Sequence, residues 1–123
     1  MSYNPIQQDG AIALSNAITN NKKLKILSLY DLLTLIDKKS AMIIIRSLIN
    51  NNTVIKLDLS IALCENGISV VTAEAEKVNS KRKLHNEHII DFDLYYYDLQ
   101  NYSYLGNYTT EDNLSVVHAT NYN

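Results

Sequence analysis

Apolar and polar positions along this chain change rhythm several times, and the changes recur. Between residues 10 and 20, Ala11, Leu14, Ala17 and Ile18 follow the i, i+3, i+6/7 spacing that lines one face of a helix. Leu27 and Leu29 then alternate with Ile26, Ser28 and Tyr30, as a strand requires. The whole pattern returns at a shift of 30 residues: Ala11, Leu14, Ile18 and Asn20 fall on Ala41, Ile44, Leu48 and Asn50, and Leu24-x-x-Leu27-x-Leu29 falls on Val54-x-x-Leu57-x-Leu59. Each unit therefore reads as a helix followed by a short strand. Asn20-Asn21 and Asn50-Asn51-Asn52 stand where each helix must stop, and Asn tolerates the left-handed conformation that ends helices.

A third, eroded unit follows. Val71, Ala75 and Val78 mark the inner face of a helix over 69–82, and Ile89-x-x-Phe92-x-Leu94 repeats the strand pattern after a step of 35, which predicts a surface insertion around Leu84 to His88. The predicted elements are helices near 10–20, 40–50 and 69–82 and strands near 24–29, 54–59 and 89–94. The strands are expected to pair in parallel in that order, with right-handed crossovers and all helices on one side. The middle helix is apolar almost all round (Met42, Ile43, Ile44, Ile45, Leu48, Ile49), so it must be covered by its neighbours. Burying those side chains at roughly 1.5–3 kcal/mol each makes the middle unit the predicted centre of stability.

A Gly10-Ala11-Ile12-Ala13-Leu14 helix with Ala17-Ile18 and Asn21, followed by Leu24, Leu27 and Leu29, resembles the ribonuclease-inhibitor-like leucine-rich repeats, over about residues 10–94. The resemblance implies an α/β fold, a short leucine-rich-repeat solenoid of about three repeats with parallel strands on the concave face and helices on the convex face. It also implies a protein-binding role, as in the sensor regions of NOD-like receptors. Two departures stand out: the family's turn Asn or Cys is replaced by Leu32 and Ala62, and a period of 30 exceeds the family's usual length of about 28 or 29. Ran GTPase-activating proteins share the repeat type, but no arginine here sits where a catalytic role can be carried over. The implied organisation is an N-terminal segment 1–9, a solenoid 10–94 and a Tyr/Asn-rich cap or tail 95–123.

Composition narrows the function classes. The formal net charge of the 123 residues is −2 and the pI is near 5.8, unlike domains built to neutralise phosphates, so nucleic acid is not an expected partner. The one cationic cluster, Lys81-Arg82-Lys83, complements a helix dipole without any ligand. A lone Cys64, no signal-peptide pattern at Met1 to Pro5 and no apolar run of membrane-spanning length point to a cytoplasmic protein with no membrane partner. Four Asn-x-Ser/Thr matches, starting at Asn51, Asn101, Asn107 and Asn113, read as products of an Asn-rich composition.

Candidate chemistry is sparse. His85, Glu87, His88, Asp91 and Asp93 form the densest set of potential ligands, but His-Asn-Glu-His lacks the i, i+4 histidine pair of a helical zinc site, and no metal or cofactor is expected. Cys64 reads as a small buried thiol, because no base or oxyanion site is positioned for it. Gly10, Gly67 and Gly106 stand alone and form no phosphate loop. Seven of the nine tyrosines lie from Tyr95 onward, suiting an interface, a cap over an open core or a disordered tail.

The residues between the strand leucines are expected on the concave surface in three rows: Ile26, Lys56 and Asp91; Ser28, Asp58 and Asp93; Tyr30, Ser60 and Tyr95. The expectation is a non-enzymatic protein–protein interaction module that grips a basic partner surface there. The alternatives are a small regulator or enzyme using the His85–Asp93 loop, and a fragment of a larger leucine-rich-repeat regulator. The first helix lacks an outer neighbour, which predicts self-association through that end of the chain.

Overall fold

A computed structural model describes residues 8–29, 35–63, 67–98, 100–101, 103–111 and 114–119. Along the chain, α1 (Gln8–Asn20) leads to β1 (Ile26–Leu29), and β2 (Ile36–Asp37) runs directly into α2 (Lys38–Ser47), which tightens into a 3-10 turn at Leu48–Asn50. Then come β3 (Lys56–Leu63), α3 (Ile68–Leu84), β4 (Asp91–Asp98), β5 (Ser103–Glu111) and β6 (Leu114–Ala119). The six strands form one sheet in the order β1-β3-β4-β5-β6, with β2 also paired to β3.

Local signals account for the helix ends. Asp37 caps α2 by accepting the amide of Ser40 at 2.7 Å, and Arg46 lies in its last turn, where a cation meets the negative end of the dipole. Asn21 Oδ1 accepts the amides of Lys23 and Leu24, both at 2.7 Å, and turns the chain into β1. Thirty residues later Asn51 Oδ1 does the same for Thr53 and Val54, at 2.9 and 2.8 Å. The third turn uses Asn86 instead, in the left-handed region at φ 55°, a conformation Asn accepts more readily than most residues.

The predicted parallel pairing is present. Leu27 pairs with Leu57 and Leu57 with Phe92, while Leu29, Leu59 and Leu94 pair likewise, so the spatial register carries the same steps of 30 and 35 as the sequence. Side chains alternate across these strands. Leu57, Leu59, Phe92, Leu94 and Tyr96 turn to one face and join a single core with Ile18, Ala41, Ile44, Ile45, Leu48, Val71, Ala75 and Val78. All three described helices therefore pack on that face, and the opposite face carries Lys56, Asp58, Asp91, Asp93, Tyr95 and Tyr97.

The solenoid, however, is not formed. Beyond β4 the chain turns back, and β4–β5 and β5–β6 pair antiparallel, giving a mixed α/β sheet that is not strongly curled. The reason lies in the widths of the two layers. Helices pack about 10 Å apart and strands about 4.8 Å apart, so equal numbers of each force curvature. Two further strands without matching helices let the layers spread to similar widths. β3 and β4 also run for eight residues each, and β2 returns to the sheet between β1 and α2, both unlike a short concave strand followed by an outward turn. Concave and convex faces are accordingly replaced by an open sheet face and a helix-covered one. Within the Tyr/Asn-rich segment, Tyr108 is fully buried in the same core as Tyr96.

Candidate functional site

The open sheet face assembles the predicted rows from neighbouring strands. Ile26 pairs with Lys56 and Lys56 with Asp91; Ser28 pairs with Asp58, Asp58 with Asp93 and Asp93 with Thr109; Ser60 pairs with Tyr95 and Tyr95 with Asn107. At the centre, Lys56 Nζ lies 3.2 Å from Asp93, 3.4 Å from Asp91 and 3.6 Å from Asp58. Asp58 also accepts the Ser28 hydroxyl at 3.2 Å. Partial burial alone pulls the Lys56 pKa down, but the hydrogen bond to Asp93 and the charges of Asp58, Asp91 and Asp93 outweigh it and hold the ammonium charged well above its usual range.

One ammonium among three carboxylates leaves a formal charge of 1 − 3 = −2 on this patch. The outermost carboxylate, Asp91, is half exposed, and Ile26, on the other side of Lys56, is 57% exposed. Next along the face, Tyr97 and Tyr104 place their rings 5.6 Å apart and tilted by 56°, and Tyr104 donates to Asn107 Oδ1 at 2.9 Å. Tyr97, Tyr104, Asn107 and Thr109 extend the surface beyond the nine predicted positions. The β4–β5 pairing that brings them there was not legible before the hairpin was known.

Two predicted positions stand differently. Ser60 belongs to the open face by register but is fully buried, and its hydroxyl has no hydrogen-bond partner, so it lies beneath the surface. Tyr30 lies outside the described residues, as does Cys64.

The acidic and histidine residues of 85–93 do not form one cluster. His85 caps the end of α3, His88 Nδ1 lies 2.7 Å from the Ile89 carbonyl, and Asp91 and Asp93 are engaged with Lys56. A shallow hollow of about 400 Å³ is lined by Lys83, Asn86, Glu87, His88 and Ile89. Among the described residues no three His, Cys, Asp or Glu side chains converge where a metal could be held, and no helix is long and apolar enough to cross a membrane.

Arg82 departs most from its sequence reading. It points inward and is almost fully buried, donating to the carbonyls of Asn51 at 2.5 Å, Val54 at 2.6 Å and His88 at 2.9 Å. Burial lowers its pKa and the charge of Glu87 partly restores it. Of the Lys81-Arg82-Lys83 triplet, Lys81 and Lys83 are exposed. Compared with protein families, curated proteins and solved structures, the chain matches none.

Proposed function

We propose that this protein is a non-enzymatic binding module whose open sheet face receives a basic surface of a protein partner. The observation that carries the reading is the Lys56 centre: three carboxylates from two strands are held in place by one ammonium, so the patch keeps net negative charge without the freedom of loose side chains. Prearranged charge of this kind steers association, and the tyrosines beside it supply rigid contact area with little entropy to lose. Leucine-rich-repeat resemblance enters this reading only at the level of single helix–strand units, and the lone Cys64 supports a reducing, cytoplasmic setting.

The test is an NMR titration of the full chain with an Arg/Lys-rich peptide, with an acidic peptide of equal length as control. Shifts centred on Ile26, Ser28, Asp91, Asp93 and Tyr95 that weaken with added salt are expected. Tyr95→Ala should then cost about 1–2 kcal/mol of binding at little expense of stability. Perturbations confined to Glu87 and His88 would move the site to the hollow at the C-terminal end of α3, and the absence of any salt-dependent binding would defeat the reading.

A further inference from the structure

Among the described residues, the β1 edge of the sheet leaves strand leucines incompletely covered. Leu27 and Leu29 are only half-buried, although their register partners Leu57 and Leu59, and Phe92 and Leu94 beyond them, are completely buried. The six positions are all apolar and face the same side, so the difference is that no described strand lies on the outer side of β1. Exposed edges are normally protected by short length, charges, prolines or bulges, and β1 has the first, at four residues, with Lys25 just before it. Within the strand, Ile26-Leu27-Ser28-Leu29 carries no charge, proline or bulge. Above the edge, α1 carries one charged residue, Asp9, in thirteen, and its exposed positions include Ile12, Ala13 and Ala17. An outward helix face ordinarily carries charge, as α3 does with Glu76, Lys77, Lys81 and Lys83.

We infer that this edge pairs with the same edge of a second copy of the chain, antiparallel about a two-fold axis through Ser28. The backbone alternation selects that register. The Lys25 carbonyl accepts the amides of Ile55 and Lys56, at 2.7 and 3.2 Å, so Lys25, Leu27 and Leu29 direct their peptide groups toward β3, and Ser28 directs its N–H and C=O outward. Two Ser28 residues facing each other exchange both hydrogen bonds. Leu27 then stands opposite the second copy's Leu29 on the core-facing side, and Leu29 opposite its Leu27, because Leu-Ser-Leu reads the same in both directions about Ser28.

Charge agrees with this choice of occupant. The exposed Lys22, Lys23 and Lys25 precede β1 and fall at opposite ends of the paired strands, Lys25 about 20 Å from its own copy at about 3.4 Å per residue and the other two farther, all beyond a Debye length at physiological salt. The uncharged faces of the two α1 helices come side by side above the joined sheet. The contact is isologous and closes on itself, leaving the acidic patch of each copy unaltered on the opposite face.

Sedimentation equilibrium on the full chain tests the inference. A reversible monomer–dimer equilibrium is expected, with Ser28→Pro weakening it by at least about 10-fold. Proline at Ser28 removes an outward N–H and leaves the β3 ladder intact, so the variant should retain its far-ultraviolet spectrum. Hydrogen exchange keeps the test decisive if that variant does not fold: in the unaltered chain the Ser28 amide should gain protection as concentration rises. A chain that stays monomeric to about 1 mM, the weak end of specific association, would overturn the proposal. So would a dimer indifferent to Ser28→Pro, or a Ser28 amide protected in the monomer, which would assign the edge to a segment of the chain itself. Ser28 belongs to both surfaces, but Asp91, Asp93 and Tyr95 lie on β4, away from the edge, so their response to the basic peptide in the unaltered chain lets either proposal fail alone.

Discussion

Tyr96 is fully buried, yet its hydroxyl lies 2.9 Å from Thr72 Oγ1, so β4 and α3 share a hydrogen bond between side chains. Burial pushes the phenol up to about 12; the Thr72 contact pulls the other way, and neighbouring Tyr108 adds to the rise. The folded state thus holds the proton more tightly than the unfolded chain, whose tyrosines titrate near about 10. Stability from this group is fully present below about pH 10 and is lost as pH rises through about 12. Two pH units correspond to about 2–3 kcal/mol. Tyr96→Phe should therefore cost about 1 kcal/mol at neutral pH, from the lost partner of Thr72, and then lose less stability than the unaltered chain between those limits. Urea unfolding at neutral and alkaline pH checks this; parallel losses in both proteins would show that the phenol does not govern the alkaline limb.

At the scale of elements, two asparagines 30 residues apart make the same turn at different expense. Asn21 is exposed, and a carboxylate in its place keeps both acceptor contacts. Asn51 is buried and also donates through Nδ2 to the carbonyls of Ile18 at 2.8 Å and Asn21 at 3.1 Å, tying the second turn to the first. Asn51→Asp replaces those donors by a buried charge facing carbonyl oxygens and should destabilise by about 2–4 kcal/mol, whereas Asn21→Asp should stay within about 0.5 kcal/mol by the same denaturation assay. These turns, the helices and the parallel pairing were legible because each rests on local chemistry repeated at a fixed shift. Arg82 was legible in principle, since Val71, Ala75, Val78 and Arg82 share one helix face, but Lys81-Arg82-Lys83 invites reading as a solvated set. Curl was not legible, because it depends on what lies beyond the last repeat. There the tyrosines from Tyr95 onward suit an interface, a cap or a disordered tail. The rows of the candidate site followed from alternation alone, whereas the burial of Ser60 and the addition of Tyr97, Tyr104 and Asn107 required the hairpin.

Across the whole molecule, the sheet joins two halves with very different demands on chain closure. β4, β5 and β6 meet through the short connections 99–102 and 112–113, whereas β1 must find β3, and β3 must find β4, across whole helices. Local hairpins form in about 1–10 μs, and non-local parallel pairing is slower because loop entropy is lost before contacts repay it. In pulse-labelled hydrogen exchange during refolding, amides of the β4–β5 pairing such as Leu94 and Tyr108 should be protected before those joining β1 to β3; simultaneous protection would mean that the sheet nucleates as one body. Synthesis reverses that order, since the ribosome releases the slow half first. At about 5–20 residues per second, β3 with its leucines and isoleucine waits roughly 2–7 s for the 35 residues that bring β4 to its side. During that interval the nascent chain carries an apolar strand with one edge unfilled, which makes β3 the segment a holding chaperone would meet first.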